Sequence, residues 1–337
     1  MVTVRERDPG RRAEEAVRAV LPRATKVRHG TAVSGADLIV NGQPFGIKWV
    51  GDGRLADVKR LLAIHSGRLE VVVARRMSPG AREALSEAGI GWVDETGAAE
   101  IAIGSIVVSR TGQSPKPAKR SERWTRSVVA VAEALLCNTK ATVAATEVAT
   151  GLSNGSCTTA LRLLTELGLL ETDVWRGRNS ARRVMDSDRL LDAYAAAVEA
   201  MPTCINLHLG VTWRDPVDGL LSTGQKWDKA KITWASTGAV AAAVIAPYLT
   251  TVNSADVYVD ADTVLGLEAI ARAGDLRPIE GGRLTIRPFP TVTVQRLATV
   301  IDELRVAPWP RVYADLRTVG VRGEEAAEHL REAVHGR

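Results

Sequence analysis

The stretch from Trp124 to Asp186, WTRSVVAVAEALLCNTKATVAATEVATGLSNGSCTTALRLLTELGLLETDVWRGRNSARRVMD, decides how the chain is read. Within 126–137, Val128, Val131, Leu135 and Leu136 recur at helical spacing and predict a support helix with one apolar face. VAATEVATGL then runs into Gly151, a residue able to stop a helix in the left-handed conformation, and Ser153 with Asn154 offers the N-cap of the next helix. That third helix, at about 155–167, carries Leu161, Leu164 and Leu167 on one face and leaves Ser156, Thr158, Thr159 and Arg162 off the stripe. LLETDVW and SARRVMD read as two short strands around a turn at Arg176, Gly177, Arg178 and Asn179.

Taken singly these parts are ordinary, and a helical subdomain with a solvated hairpin is the plainer reading of them. Their order, three helices, a Gly-Leu-Leu exit and a basic hairpin, instead predicts a winged helix-turn-helix, in which the third helix enters the major groove of duplex DNA. The residues expected at DNA are then Ser153, Asn154, Ser156, Thr158, Thr159 and Arg162 on the recognition helix. Arg176, Arg178, Asn179, Arg182 and Arg183 on the wing would grip the backbone, with Arg126 and Lys140 beside them. Upstream, 110–123 is polar, rich in Pro and Ser and without an apolar period, so it reads as a linker. From Arg110 to Arg126 six basic residues (Arg110, Lys116, Lys119, Arg120, Arg123 and Arg126) face one acid, Glu122. The linker is therefore either a basic arm tracking phosphates or a solvated tether.

Composition bounds the alternatives. A chain of 337 residues with a 45% hydrophobic share is long and apolar enough for two or three packed domains. Lys and Arg number 44 against 39 Asp and Glu, a net charge of +5, too mild for a histone-like binder but compatible with local basic patches. Cys137, Cys157 and Cys204 lie far apart with no paired spacing, which argues against a zinc site and a disulfide framework. The N-terminus is charged and the alanine-valine run near 238–246 is too short to span a bilayer, so a cytoplasmic, nucleoid-associated protein is expected.

The segment 1–109 alternates helix and strand: a helix at 11–21, the hairpin ADLIVN and PFGIKWV, a helix at 54–65, LEVVVA, a helix from Ser78-Pro79 to Gly89, then GWVD, EIAIG and IVVS. This order resembles the restriction-endonuclease-like PD-(D/E)xK superfamily, through Asp37, Gly46-Ile47-Lys48 and Glu14 or Glu15 on the first helix. The resemblance implies an α/β sandwich and, for an active nuclease, Mg²⁺ held by two carboxylates beside a lysine, with Asp37, Lys48 and Glu15 as the candidates. The carboxylate expected two residues before Lys48 is replaced by Gly46, which removes a metal ligand. No spacing selects Asp52 or Glu70 as its substitute, so the head is read as an inactive scaffold without cofactor, and a metal-dependent endonuclease is the alternative.

Beyond the wing, SDRLLDAYAAAVEA predicts a helix capped by its serine, closing a DNA-binding domain at 124–200. From 201 to 337 strands and helices mix: INLHLGVTW, a helix at about 236–245, ADVYVD, a helix near 261–273, LTIRPF, TVQRLATVIDEL as helix, RVYADL as strand and a C-terminal helix. With WASTGAVAAAVIAP, VYVD and RVYADLRTVGVRGEEAAEHLRE, the chain resembles actinobacterial regulators related to the AbiEi-type antitoxins of type IV toxin-antitoxin systems. That resemblance implies a C-terminal domain of nucleotidyltransferase-like topology, repression of a neighbouring promoter, and a toxin or other protein partner. Ser236-Thr237-Gly238 is followed by alanine and valine rather than paired aspartates, and Asp260 and Asp262 read as a strand-end turn, so this domain is expected to be non-catalytic. The expectation is thus a multidomain α/β chain binding double-stranded DNA as a homodimer, because regulators of this type read two half-sites.

Overall fold

The computed structural model describes residues 9–22, 24–30, 36–65, 68–104, 106–112, 124–172, 182–202, 205–248 and 252–335. It shows a mixed α/β protein that divides into two compact units, one comprising Met1–Pro117 with Val319–Glu324, the other Ala118–Thr318 with Glu325–Arg337. Among the described residues no helix is long and apolar enough to cross a membrane.

In the first unit α1 (Pro9–Val20) leads to β1 (Val27–His29), β2 (Leu38–Val40) and β3 (Gln43–Phe45), an antiparallel three-stranded sheet. After Gly46 come β4 (Ile47–Trp49), α2 (Leu55–Ile64), β5 (Val71–Ala74), α3 (Pro79–Glu87), β6 (Gly91–Asp94), β7 (Ala99–Ile103) and β8 (Ile106–Arg110). Strands β4, β5 and β6 run parallel and β6, β7 and β8 antiparallel in one five-stranded sheet. Gly46 is where the 43–49 segment passes from one sheet to the other. A Cβ there would lie 2.1 Å from the carbonyl oxygen of Arg68, so only glycine permits this approach. Strand β5 is buried on both faces, which explains the unbroken run Val71-Val72-Val73-Ala74. Val71 and Val73 pack with Val17 and Val20 of α1, whereas Val72 and Ala74 pack with Val58 of α2 and Leu85 of α3. Glu324 closes the unit: buried, it accepts hydrogen bonds from Gly80 N (2.8 Å), Ser78 Oγ (2.9 Å) and Leu55 N (3.3 Å), at the starts of α3 and α2.

The second unit opens with α4 (Arg126–Leu136), α5 (Val143–Thr150) and α6 (Asn154–Glu166), followed by the antiparallel pair β9 (Leu170–Thr172) and β10 (Arg182–Val184) and by α7 (Ser187–Glu199). It continues through β11 (Leu207–Gly210), α8 (Pro216–Lys229), β12 (Trp234–Thr237), α9 (Gly238–Ile245), β13 (Ala255–Val259), α10 (Val264–Ala273), β14 (Arg277–Pro278) and β15 (Leu284–Pro288). Then come α11 (Val292–Leu297), β16 (Thr299–Ile301), β17 (Leu304–Val306), α12 (Trp309–Leu316) and α13 (Gly320–His335), of which the residues up to Glu324 belong to the first unit. Seven of the strands form one mixed sheet in the order β14-β11-β15-β13-β12-β17-β16. A single hydrophobic cluster runs from Val128 of α4 through the sheet to Leu330, so the helices before residue 200 and the sheet after it share one core.

Several elements differ from the sequence expectation. RVYADL is the helix α12 rather than a strand: every residue from Pro310 to Leu316 is buried, which erases either period, and Pro310 stands at the helix start. TVQRLATVIDEL is helical only to Leu297; the β-branched Thr299, Val300 and Ile301 enter a hairpin whose turn residues Asp302 (φ 46°) and Glu303 (φ 66°) are left-handed. Helix α8 was not expected, because Gly219 and Gly224 interrupt its propensity. A Cβ at these two glycines would meet Trp213 at 2.2 Å and Trp234 at 2.1 Å. Finally, α7 is capped by Asp186, which accepts from Arg189 N at 3.0 Å, not by Ser187.

Candidate nucleic-acid interface

The arrangement at α4, α5 and α6 follows from local chemistry. Thr142 caps α5, Gly151 ends it at φ 70°, and Ser153 caps α6 by accepting from Ser156 N at 3.4 Å. On α6, Cys157, Ala160, Leu161, Leu163 and Leu164 are buried, while Asn154, Gly155, Thr158, Thr159 and Arg162 are exposed. A polar strip therefore faces outward from a helix whose opposite side is locked into the core.

The expected site residues fall into distinct situations. Thr158 and Thr159 are exposed, and none of the hydrogen bonds described engages their hydroxyls. Asn154 is exposed and its Nδ2 donates to Glu147 at 3.3 Å. Ser153 and Ser156 spend their hydroxyls on the cap and on each other, 3.0 Å apart, so they serve the helix start. Arg162 stands 3.7 Å from Glu166, and Arg183 is paired with Glu171 across the β9–β10 ribbon, its Nε 2.8 Å from Oε2. Arg182 is half-buried, and Ala141 bridges to its backbone. Arg126 and Lys140 are exposed. Arg176, Arg178 and Asn179 lie outside the described residues, as does Cys204, and so does most of the basic linker.

Two features were not foreseen. The first is a buried polar network behind α4. Glu133, with no exposed surface, accepts from Tyr194 Oη at 2.6 Å and from Thr291 Oγ1 at 3.3 Å. Burial pushes its carboxyl up to about 7, against the pull of the Tyr194 hydroxyl and of Arg311. Nearby, Arg311 Nη2 lies 3.0 Å from Asp315 Oδ1, and Thr237 and Tyr258 donate to Asp315 Oδ2 at 2.5 and 2.7 Å. Burial alone would raise the Asp315 carboxyl; Arg311 and Arg287 outweigh it and hold it below the usual range. The second is Arg296 of α11, which donates to Val148 O at 3.1 Å, at the end of α5. Apart from the Arg311–Asp315 pair, four positions apart, neither is visible in the sequence, because the other partners lie 53 to 158 positions apart.

The nuclease candidates are placed as follows. A cavity of about 840 Å³ in the first unit is lined by Glu14, Asp37 and Lys48, together with His65 and Arg68. Glu15, by contrast, is exposed and pairs with Arg11 at 3.1 Å. Asp37 Oδ2 accepts from Ile47 N at 2.8 Å, Glu70 Oε2 accepts from Gly46 N at 2.5 Å, and Asp52 pairs with Arg75 at 3.2 Å. Glu70 thus points at the position where residue 46 lacks a side chain, but it is turned to the backbone. Asp37 and Glu70 are thus both turned to backbone amides, and among the described residues no group of three or more His, Cys, Asp or Glu side chains is placed to hold a metal ion. Asp260 and Asp262 are exposed beyond the end of β13. Compared with protein-family models, curated proteins and solved structures, the chain matches none.

Proposed function

We propose that the protein is a sequence-specific, double-stranded-DNA-binding transcriptional regulator, a repressor of the AbiEi-antitoxin-like kind, acting in the cytoplasm as a homodimer. In this reading α4, α5, α6 and the β9–β10 ribbon form a winged helix-turn-helix, α6 enters the major groove, and the wing grips the backbone. One observation carries it: the exposed strip Asn154, Thr158, Thr159 and Arg162 projects from a helix fixed by Leu161 and Leu164, directly after a left-handed Gly151 turn. The first unit then serves as a restriction-endonuclease-like scaffold, and the seven-stranded sheet as a nucleotidyltransferase-like, non-catalytic platform open to a toxin or other protein partner.

The test is a gel shift of the full chain on its own upstream DNA and on random DNA, with Mg²⁺ present and at two salt concentrations. A discrete, competitor-resistant shift on intact DNA supports the regulator. Thr159→Ala or Arg162→Ala should cost about 1–3 kcal/mol on the preferred sequence and little on random DNA. Equal losses on both would remove α6 from the base-reading role.

A second reading, a metal-dependent endonuclease, is favoured by the cavity that gathers Glu14, Asp37 and Lys48. It is opposed by Gly46 and by the backbone engagement of Asp37 and Glu70. Mg²⁺-dependent nicking of plasmid DNA that Lys48→Ala abolishes would establish it in place of the scaffold.

A further inference from the structure

Arg296 sits in the last turn of α11, 148 positions downstream of Val148 at the end of α5. Its side chain lies on that turn: a Cβ added to Gly151 would stand 2.8 Å from its Cζ, 3.0 Å from Nη1 and 3.1 Å from Nε. Nη1 donates to Val148 O, which uses one of the five N–H donors of the guanidinium. Arg296 is exposed, and among the described residues no carboxylate pairs with it. In this it differs from Arg162 and Arg183, whose charges are met by Glu166 and Glu171.

The element that carries it is held to the DNA-binding helices. Thr293 and Val294 of α11 are buried, and Thr291, which caps α11, also donates to Glu133 inside α4. The guanidinium is therefore presented from a fixed support at Gly151, two residues before the Ser153 cap of α6. A DNA phosphate passing that turn would meet the remaining donors of a guanidinium held in place there.

We propose that Arg296 is a DNA-backbone contact, so that α11 completes the phosphate-binding surface of the helix-turn-helix. The inference rests on the DNA-binding reading, and it makes the sheet-bearing part of the second unit a participant at DNA rather than a platform alone. A merely structural Arg296 would cap the end of α5 and leave affinity and its salt dependence alone.

The experiment uses the full chain, random-sequence duplex DNA and a salt series, with Arg296→Gln and Arg296→Lys compared with the parent. Glutamine keeps a donor for Val148 O and removes the charge; thermal melts of each variant control for folding. The expected result for Arg296→Gln is a loss of about tenfold in affinity at low salt. The slope of log K against log salt should also flatten by about one. Arg296→Lys should restore the slope. A parent that binds, with an Arg296→Gln slope parallel to it, overturns the contact alone. A parent that shifts no DNA overturns the DNA-binding reading, and this contact with it.

Discussion

Glu133 and Glu324 show how single buried carboxylates bear on stability here. Glu133 meets Tyr194, Thr291, Arg311 and Asp315 from the elements packed on α4, and Cys137 from α4 itself. Because burial raises its carboxyl from 4.5 to about 7, the folded protein holds that proton more tightly than the unfolded chain. Its stabilising contribution is complete below the unfolded value, declines as pH rises, and is gone above the folded value. The loss amounts to about 3 kcal/mol, at about 1.4 kcal/mol per pH unit. Urea melts at about pH 5 and about pH 8 should show that decline, and Glu133→Gln should remove it; a decline unchanged in the variant would assign it to other groups. Glu324→Ala should cost about 3 kcal/mol, since it strands the amides of Leu55 and Gly80 without an acceptor. A thermal melt shifted by less than the scatter between preparations would show that water replaces the carboxylate.

At the scale of elements, α6 was legible because its two faces differ. Leu161 and Leu164 recur at helical spacing, Ser153 caps, and Gly151 turns, so sequence and structure agree to within a residue. Leu164→Ala should destabilise the second unit by about 3–4 kcal/mol, the usual cost of a leucine-sized cavity, read from denaturant midpoints. Gly151→Ala should cost about 1–2 kcal/mol from the left-handed backbone and should also push Arg296 off the turn. Helices α8 and α12 were not legible, for opposite reasons. In α12 both faces are buried, so no periodicity survives; in α8 the two glycines that admit tryptophan rings look locally like breaks.

For the whole molecule, the continuous core of the second unit has a thermodynamic consequence. In α4 every residue from Val128 to Leu136 is buried, Glu133 included, and Leu135, Tyr194, Val294 and Val312 belong to one cluster. A fragment limited to 124–200 would expose that surface, so it should bind hydrophobic dyes and lack a cooperative melt. In the intact chain the amides of α4 should exchange at rates like those of β12 and β13. A sharp, independent melt of the fragment would show instead that these helices fold alone.

Local chemistry along the chain was sufficient for the helices with one apolar face, the Ser78 and Ser153 caps, the glycine turn and the polar strip of α6, because those depend on neighbours within about four residues. It was not sufficient for what surrounds them. That Ser153 and Ser156 are used by the cap, that Arg183 is neutralised by Glu171, and that Glu14 rather than Glu15 faces the cavity depend on side-chain direction. The joining of Glu133 to Thr291, and of Arg296 to the α5–α6 turn, depends on contacts about 150 positions apart in the chain. Such contacts exist only once the core has closed around α4, and so only the tertiary structure decided them.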